Sequence, residues 1–238
     1  MEVLKKYEKE TELFIKVCGK LSSNKFISGG GGNLAWRLED DLIMITPTQM
    51  AKGDIRTGDL VFINMKGEQV WGTRKPTGEK PMYLKFFSDR PDIRTVVHCH
   101  PPCICTAGIV KEKTLLMKPY FPEVVLEAGP APVVPYATPL TAKLAENFTP
   151  YLRRYNAFIM ENHGFVSMSP GDIYWTYLTV ELLEASADSI LRALAAGLEL
   201  QELKYEDVRE LGKVMPSRGL TLFGAPGENK NLESLYFE

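Results

Sequence analysis

Thr95-Val96-Val97-His98-Cys99-His100 is a run of β-branched and apolar residues that carries two of the chain's three histidines at its end. This composition favours a strand, and side chains two apart on a strand project from the same face, about 6.5 to 7 Å apart. His98 and His100 therefore share one face, while Cys99 points to the other. The sequence predicts a strand that presents two imidazoles to a common point.

The third and last histidine of the chain, His163, follows a second apolar run at residues 157–160. A strand that bends at Gly164 could bring His163 beside His98 and His100. Three neutral imidazoles suit a zinc ion, and three protein ligands leave one position open for substrate, as in catalytic sites. The alternative is a His-x-His pair that only fills the core, which would bury two imidazoles without an evident partner.

The cysteines offer a second kind of ligand. Cys99, Cys103 and Cys105 lie close to the histidine pair, but their spacing does not match a C-x-x-C metal knuckle, and Cys99 faces away from His98. Together with Cys18 they suit a reducing compartment, in which buried free thiols are common. We therefore expect the cysteines to pack in the core.

Composition limits the class of protein. The 238 residues, 45% of them hydrophobic, suit one large domain that spans residues 1–238, with a C-terminal tail from about residue 216 that is loosely held at its end. The formal net charge of −2 argues against a nucleic-acid partner. The charged N-terminus and the lack of a long apolar segment argue against a membrane partner and favour a cytoplasmic protein.

The apolar patterns predict helices and short strands. Helices are predicted at residues 4–21, 81–88, 142–154 and from a cap at Ser169 to about residue 200. Strands are predicted at residues 34–38, 42–45, 60–64, 95–100, 123–127, 157–160 and 165–168. Because regular crossover helices do not separate these strands, we expect a largely antiparallel sheet with helices packed on it.

A glycine-rich turn precedes the first predicted strand, in Ser28-Gly29-Gly30-Gly31-Gly32-Asn33. Consecutive glycine N–H groups can face an anion, and the amide of Asn33 adds a donor. The run is neither a P-loop nor a dinucleotide fingerprint, since no Gly-Lys-Ser/Thr follows and it precedes a strand. Thr46-Pro47-Thr48 and Thr77-Gly78-Glu79 are two further turns that could complete a phosphate pocket; a plain flexible turn is the alternative.

The order of these motifs resembles the class II aldolase and adducin family of zinc-dependent sugar-phosphate aldolases, over residues 14–194. The matching pieces are Gly31-Gly32-Asn33-Leu34-Ala35-Trp36-Arg37, Ile45-Thr46-Pro47-Thr48, Pro76-Thr77-Gly78-Glu79, Arg90-Pro91-Asp92-Ile93 leading into His98-Cys99-His100, Val134-Pro135-Tyr136-Ala137-Thr138 and Glu161-Asn162-His163-Gly164. The glycine-rich start is similar to the rhamnulose-phosphate branch of the family. The segment around Tyr136 is more similar to the fuculose-phosphate branch.

The resemblance implies a three-layer α/β/α fold with a mostly antiparallel central sheet, and a homotetramer with active sites between neighbouring subunits. It implies one zinc ion per subunit on His98, His100 and His163, with Glu79 as the catalytic acid/base. It also implies that Tyr136 reaches into the neighbouring subunit's site and exchanges a proton there.

Phosphate contacts are expected, from the same resemblance, at Gly32, Asn33, Thr48, Thr77 and Gly78. Two departures weaken that expectation. Gln49 follows Thr48 where family members often have glycine, and Gly78 replaces a hydroxyl residue before the acid.

The function that the resemblance implies is reversible cleavage of a ketose 1-phosphate to dihydroxyacetone phosphate and a hydroxyaldehyde, in which zinc stabilises an enediolate and Glu79 moves a proton. The alternatives are 4-epimerisation, decarboxylation or dehydration of a sugar phosphate by related chemistry. A non-catalytic, adducin-like binding module is a further alternative. It is disfavoured because such a module has no need of the three histidines and Glu79.

Overall fold

The computed structural model describes residues 2–238, and eight strands within them form a single sheet. The strands are β1 (Asn33–Glu39), β2 (Leu42–Ile45), β3 (Val61–Ile63), β4 (Gln69–Trp71), β5 (Thr95–Cys99), β6 (Val133–Val134), β7 (Ala157–Met160) and β8 (Gly164–Ser169). Their order across the sheet is β4-β3-β2-β1-β5-β8-β7-β6. Among these residues only β6 and β7 pair in parallel, so the expectation of a mostly antiparallel sheet is confirmed.

Helices cover both faces of the sheet. Within residues 2–238 they are α1 (Glu2–Lys6), α2 (Glu8–Ser23), α3 (Lys80–Asp89), α4 (Pro102–Ile109), α5 (Pro122–Glu127), α6 (Ala142–Asn147), α7 (Thr149–Leu152), α8 (Ile173–Ala195), α9 (Tyr205–Val214) and α10 (Glu233–Phe237). One apolar core joins the sheet to α2, α4 and α8, and a second joins its other face to α3, α6 and α7. The fold is therefore the expected three-layer α/β/α arrangement.

Strand β5 lies in the middle of the sheet between β1 and β8, and all five of its residues are buried. Val97 and Cys99 belong to the core on the α2, α4 and α8 side, whereas Val96 belongs to the other core. The alternation of faces that the sequence predicted is confirmed, and it places His98 on the same face as Val96.

The ends of four strands meet near His98. Asn33, which begins β1, pairs with His98 near the end of β5, and Val166 near the start of β8 pairs with it from the other side. The turn between β7 and β8 holds residues 161–163. The sheet thereby brings Asn33, His98 and His163 to the same end of its central strands.

The prediction of a strand at residues 123–127 is wrong, because these residues form α5. Pro122 occupies the first turn, where its fixed φ suits a helix and its missing N–H costs nothing. Val125 and Leu126 are buried in a third apolar cluster shared with α9 and α10, so packing overrides their strand propensity.

Helix α8 begins later than predicted. Its cap is Asp172, whose Oδ1 accepts from the backbone N–H groups of Tyr174 at 2.9 Å and Trp175 at 3.1 Å. Ser169 instead ends β8 and accepts from the N–H of Gly171. The helix also ends earlier, because Gly197 adopts a left-handed φ of 72° just beyond it.

Two other predicted helices are each broken in two. The first is interrupted at Tyr7, between α1 and α2, and the helix expected at residues 142–154 is interrupted at Phe148, with Pro150 in the first turn of α7. Helices α4, α9 and α10 and strands β4 and β6 were not predicted.

Residues of the C-terminal segment pack on the body of the chain. Val208, Phe223, Leu232 and Leu235 are buried together with Val125 of α5. The single-domain organisation stays a prediction. No helix within residues 2–238 has the length and apolar character needed to cross a membrane.

Candidate metal centre

The three histidines meet at one end of the central strands of the sheet. The ring centroids lie 4.8 Å apart for His98 and His100, 5.0 Å for His98 and His163, and 5.7 Å for His100 and His163. One nitrogen from each ring lies within 4.8 Å of the others. The structure thus brings together the ligand set that the sequence predicted, and within residues 2–238 no other histidine or cysteine joins this group.

Strand β8 fixes the orientation of the His98 ring. Its Nδ1 lies 2.9 Å from the backbone carbonyl oxygen of Phe165. Because a carbonyl only accepts, Nδ1 carries the proton and donates, which leaves the lone pair on Nε2. This is the usual way in which a protein prepares an imidazole as a metal ligand.

Unpartnered nitrogens fit a metal ion at this point. Nε2 of His100 and Nδ1 of His163 are buried and have no hydrogen-bond partner within residues 2–238. A buried polar atom without a partner costs about 1 to 3 kcal/mol, so two such atoms in one cluster indicate a ligand. Three imidazoles with free lone pairs suit zinc or a similar divalent ion.

Burial keeps these imidazoles neutral. Burial first, and then the neighbouring histidines, lower the pKa of His98 to about 3 and that of His100 to about 3. Burial also lowers the pKa of His163. Near neutral pH the rings therefore offer lone pairs rather than positive charges.

Two glycines make room for the His100 ring. A Cβ on Gly164 would lie 2.4 Å from Cδ2 of His100 and 2.8 Å from the carbonyl oxygen of Cys99. A Cβ on Gly31 would lie 2.9 Å from Cε1 of the same ring. The hairpin between β7 and β8 and the glycine-rich turn thus enclose His100 from two sides.

Glu79, at the cap position of α3, faces the histidines. Its Oε2 lies 3.5 Å from Nε2 of His98, and its Oε1 lies 3.7 Å from Nε2 of His163. The side chain is buried, and Oε1 has no hydrogen-bond partner within the described residues. Nδ2 of Asn33 donates to Oε2 at 2.6 Å. The carboxylate is therefore held beside the histidine cluster with one oxygen free.

The glycine-rich turn approaches His98 closely. Gly32 has a φ of 63°, and a Cβ there would lie 2.9 Å from the carbonyl oxygen of His98. Only glycine fits this position without strain.

The two threonine turns lie side by side. Pro47 and Pro76 form a bridge, the N–H of Thr48 donates to the carbonyl of Lys75, and the N–H of Thr77 donates to the carbonyl of Thr46. The Oγ1 of Thr77 accepts from the N–H of Glu79 at 3.3 Å. Gly78, which lies between Thr77 and Glu79 in the chain, is exposed.

Lys52 is a residue that sequence reasoning missed. It is 2% exposed, and its Nζ donates to the carbonyl oxygens of Gly30 at 2.9 Å and Met50 at 2.8 Å. None of the ion pairs found within residues 2–238 includes it. A lysine in a segment of small and polar residues carries no signal of burial, so only the folded chain reveals that it anchors the glycine-rich turn.

Tyr136 lies at the surface after β6, with 52% of its area exposed. Its backbone N–H donates to the carboxylate of Glu161 at 3.1 Å. Within this chain its side chain is not enclosed with the histidines.

The chain is similar to known proteins both in sequence and in structure. The model of the class II aldolase and adducin N-terminal domain matches residues 12–191. The chain is 34% identical to an L-fuculose phosphate aldolase of Methanococcus maripaludis over 73% of this chain and 92% of that protein. It is 28% identical to a 3-oxo-tetronate 4-phosphate decarboxylase of Pectobacterium atrosepticum over 83% of this chain and 89% of that one.

A solved structure from Klebsiella pneumoniae, described with the alternatives aldolase, epimerase and decarboxylase, is also similar. It superposes with a TM-score of 0.79 at 27% identity, and the match covers 86% of this chain and 98% of that chain.

Proposed function

The chain belongs to the class II aldolase and adducin family and is an enzyme of that superfamily, and on this premise we propose that it is a zinc-dependent lyase. The proposed reaction is the reversible cleavage of a ketose 1-phosphate to dihydroxyacetone phosphate and a hydroxyaldehyde. The observation that carries the proposal is the placement of the Glu79 carboxylate 3.5 to 3.7 Å from two histidines of a three-imidazole cluster. A non-catalytic module has no use for such a group of buried, unpartnered polar atoms.

In this proposal His98, His100 and His163 hold the ion. When bound, a divalent ion supplies Lewis-acid stabilisation of the negative charge that develops on the carbonyl and hydroxyl oxygens of the substrate. Three protein ligands leave room for those oxygens. Chelator-treated protein that regains activity with one zinc ion per subunit would support the assignment.

Glu79 is the residue that we assign to the proton. Breaking the C3–C4 bond of the ketose turns the C4 hydroxyl into the aldehyde carbonyl, and we assign the proton that this hydroxyl loses to Tyr136. The electron pair of the bond stays on the dihydroxyacetone phosphate half as an enediolate, and C3 must then receive a proton. In the reverse direction the same carboxylate removes that proton. The free Oε1 of Glu79 suits this task, since Oε2 already accepts from Asn33.

The phosphate is assigned to the turns around Gly32, Thr48, Thr77 and Gly78, next to the glycine-rich turn that Lys52 anchors. Asn33 remains assigned there as well through its second amide N–H. The backbone amides of such a turn, with a buried lysine behind them, form an environment that favours an anion.

Tyr136 is assigned to the neighbouring subunit's site, in a homotetramer of closed symmetry. Its exposure supports this role, because a tyrosine that serves its own chain's site would be enclosed there. Inactive His98→Ala subunits co-expressed with inactive Tyr136→Phe subunits should regain activity, because some interfaces pair an intact metal site with an intact tyrosine. Mixed tetramers, confirmed by mass, that are no more active than either parent would contradict the assignment.

A second candidate is decarboxylation of a 3-oxo acid phosphate, which the Pectobacterium atrosepticum relative favours. Loss of carbon dioxide from a 3-oxo-tetronate 4-phosphate leaves the same enediolate of dihydroxyacetone phosphate. The same cluster and the same carboxylate would therefore serve both reactions, and the two differ only in the fragment that leaves.

Product analysis separates these reactions. We expect ketose 1-phosphates to give dihydroxyacetone phosphate and an aldehyde in equal amounts. Turnover of 3-oxo-tetronate 4-phosphate to dihydroxyacetone phosphate and carbon dioxide, with none of the ketose 1-phosphates, would replace aldol cleavage by decarboxylation. A product that keeps all the carbons of a ketose phosphate would indicate an epimerase or a dehydratase instead.

A further inference from the structure

Tyr83 lies on α3, one turn after Glu79, and its side chain is completely buried. Its hydroxyl contacts two oxygens of a single residue. It donates to the backbone carbonyl of Asn33 at 2.7 Å, and it also makes a hydrogen bond with the side-chain oxygen Oδ1 of Asn33. Neither the fold nor the proposed chemistry so far requires this hydroxyl.

The contacts with Tyr83 and Glu79 together decide which way the Asn33 amide faces. Both oxygens of Asn33 that meet the phenol are acceptors, so the phenol shares its single proton between them. With Oδ1 turned towards Tyr83, the NH₂ group has to point away, and there Nδ2 meets Oε2 of Glu79 at 2.6 Å. A flipped amide would place Oδ1 against the Glu79 carboxylate, where both groups are acceptors, and would remove the acceptor Oδ1 from the phenol.

The environment keeps the phenol protonated. Burial, with the negative charge of Glu79 nearby, raises the pKa of Tyr83 well above its usual range. The hydroxyl therefore keeps its proton near neutral pH, as the contact with Asn33 requires.

We propose that Tyr83 is a positioning residue, whose hydroxyl holds the Asn33 amide in the one orientation that donates to Glu79 and so fixes the carboxylate between His98 and His163. The kinetic importance of this hydrogen-bonded group rests on the proposed function, because that function assigns the proton transfer to Glu79. The hydrogen bonds from Tyr83 to Asn33 and from Asn33 to Glu79 can be tested separately from catalysis.

The direct test observes the Asn33 amide by NMR in protein labelled with ¹⁵N-asparagine. The Asn33→Ala variant identifies the Asn33 signals by their loss. Exchange of the Nδ2 protons with water should be slow in the native chain and at least about tenfold faster in Tyr83→Phe, since loss of the phenol frees the amide to rotate.

The matched control is Tyr177→Phe. Tyr177 is equally buried and its hydroxyl also has hydrogen-bond partners, Asn24 and Glu181, but it lies in the core on the opposite face of the sheet. We expect this variant to leave the Asn33 signals unchanged. Asn33 protons that exchange equally slowly in Tyr83→Phe and in the native chain would overturn the proposal.

The kinetic test follows deuterium exchange at C3 of dihydroxyacetone phosphate, with zinc-loaded protein. In Tyr83→Phe, kcat for exchange should fall about tenfold, the usual worth of a hydrogen bond to a charged group, while KM changes by less than about threefold. Zinc stoichiometry should stay the same. A loss no larger than that in Tyr177→Phe, at a similar loss of Tm, would overturn the positioning role.

A double variant shows whether Tyr83 acts through Asn33. Tyr83→Phe should cost nothing further in the Asn33→Ala background, whereas equal losses in both backgrounds would overturn the proposed route. Native protein that catalyses no C3 exchange but keeps the Tyr83-dependent protection of Asn33 would contradict the proposed function and support the positioning of the Asn33 amide by Tyr83.

Discussion

His98 and Cys99 are neighbours on β5, equally buried, and face opposite sides of the sheet. Burial moves both groups towards their neutral forms. It lowers the pKa of the His98 imidazole to about 3 and raises the pKa of the Cys99 thiol. A neutral imidazole offers a lone pair to a metal, whereas a neutral thiol is a poor ligand and a poor nucleophile.

The comparison shows how one strand separates chemistry from stability. The Cys99 face is filled by apolar side chains of α2, α4 and α8. Beside His98, three groups that can bind a metal or move a proton, on His100, His163 and Glu79, each keep a buried polar atom without a partner. Packing alone gives no reason to gather such groups at one point, so the two faces differ in the chemistry that they carry.

The two faces of β5 should differ most when one side chain on each is truncated to alanine. His98→Ala leaves two protein ligands, so we expect loss of stoichiometric zinc and a fall in activity on the order of 10³-fold or more. Cys99→Ala on the opposite face should cost about 1 to 2 kcal/mol of unfolding free energy and leave the zinc content unchanged. Metal analysis and urea unfolding measure the two effects. Stoichiometric zinc in His98→Ala, or its loss in Cys99→Ala, would abolish the distinction.

Glu79→Gln sharpens the comparison within the polar face. The variant keeps the size of the side chain but removes the base, so kcat should fall roughly 10²-fold or more. Zinc content should change much less, because the three imidazoles remain. Native turnover in this variant would show that Glu79 does not move the proton.

Gly164→Ala tests the space reserved for His100. The new Cβ would lie 2.4 Å from the imidazole and 2.8 Å from a backbone oxygen, so either the ring or the hairpin must move. We expect zinc affinity to fall by about 10- to 100-fold, the range seen when the support of a ligand is disturbed. Gly19→Ala on α2 is the control, since nothing lies within 4 Å and helix propensity favours alanine by about 1 kcal/mol. Equal zinc affinity in the two variants would show that Gly164 is not needed for the site.

The two faces of β5 should also differ, by a smaller amount, in how they make the free energy of unfolding of the metal-free chain depend on pH. The unfolded chain binds protons at its histidines below a pKa of 6.5, but the folded, metal-free chain does not bind them at His98 and His100 until about pH 3. More protons are bound in the unfolded state across this window, so stability falls as the pH falls from 6.5 towards 3. Each histidine contributes at most about 1.4 kcal/mol per pH unit. The thiols stay neutral throughout and contribute nothing. Urea unfolding of chelator-treated protein between pH 6.5 and 5 measures the slope, and His98→Phe should reduce it.

Much of this site could be predicted from local sequence. The spacing of two between His98 and His100 in a run of β-branched residues fixes a shared face, and Gly164 after His163 signals the hairpin. These features depend on strand periodicity and turn geometry, which are local. The three-layer fold and the family followed from the order of several such motifs.

The remainder depended on tertiary packing. Nothing in the sequence around Tyr83 or Lys52 distinguishes a buried hydrogen-bond donor from a surface residue. The link from Asn33 to Glu79 joins residues 46 positions apart in the chain. The strand predicted at residues 123–127 failed for the same reason, because the apolar cluster around α9 and α10 selects a helix there.

Proton exchange at the proposed site is measured by deuterium incorporation at C3 of dihydroxyacetone phosphate in heavy water, without any aldehyde present. Both aldol cleavage and decarboxylation require the chain to form and protonate this enediolate. We predict that zinc-loaded protein exchanges one C3 hydrogen, that chelator-treated protein exchanges none, and that added zinc restores the exchange. Zinc-loaded protein that leaves C3 unlabelled, or exchange that persists after the metal is removed, would show that this chain does not form the enediolate with a metal ion.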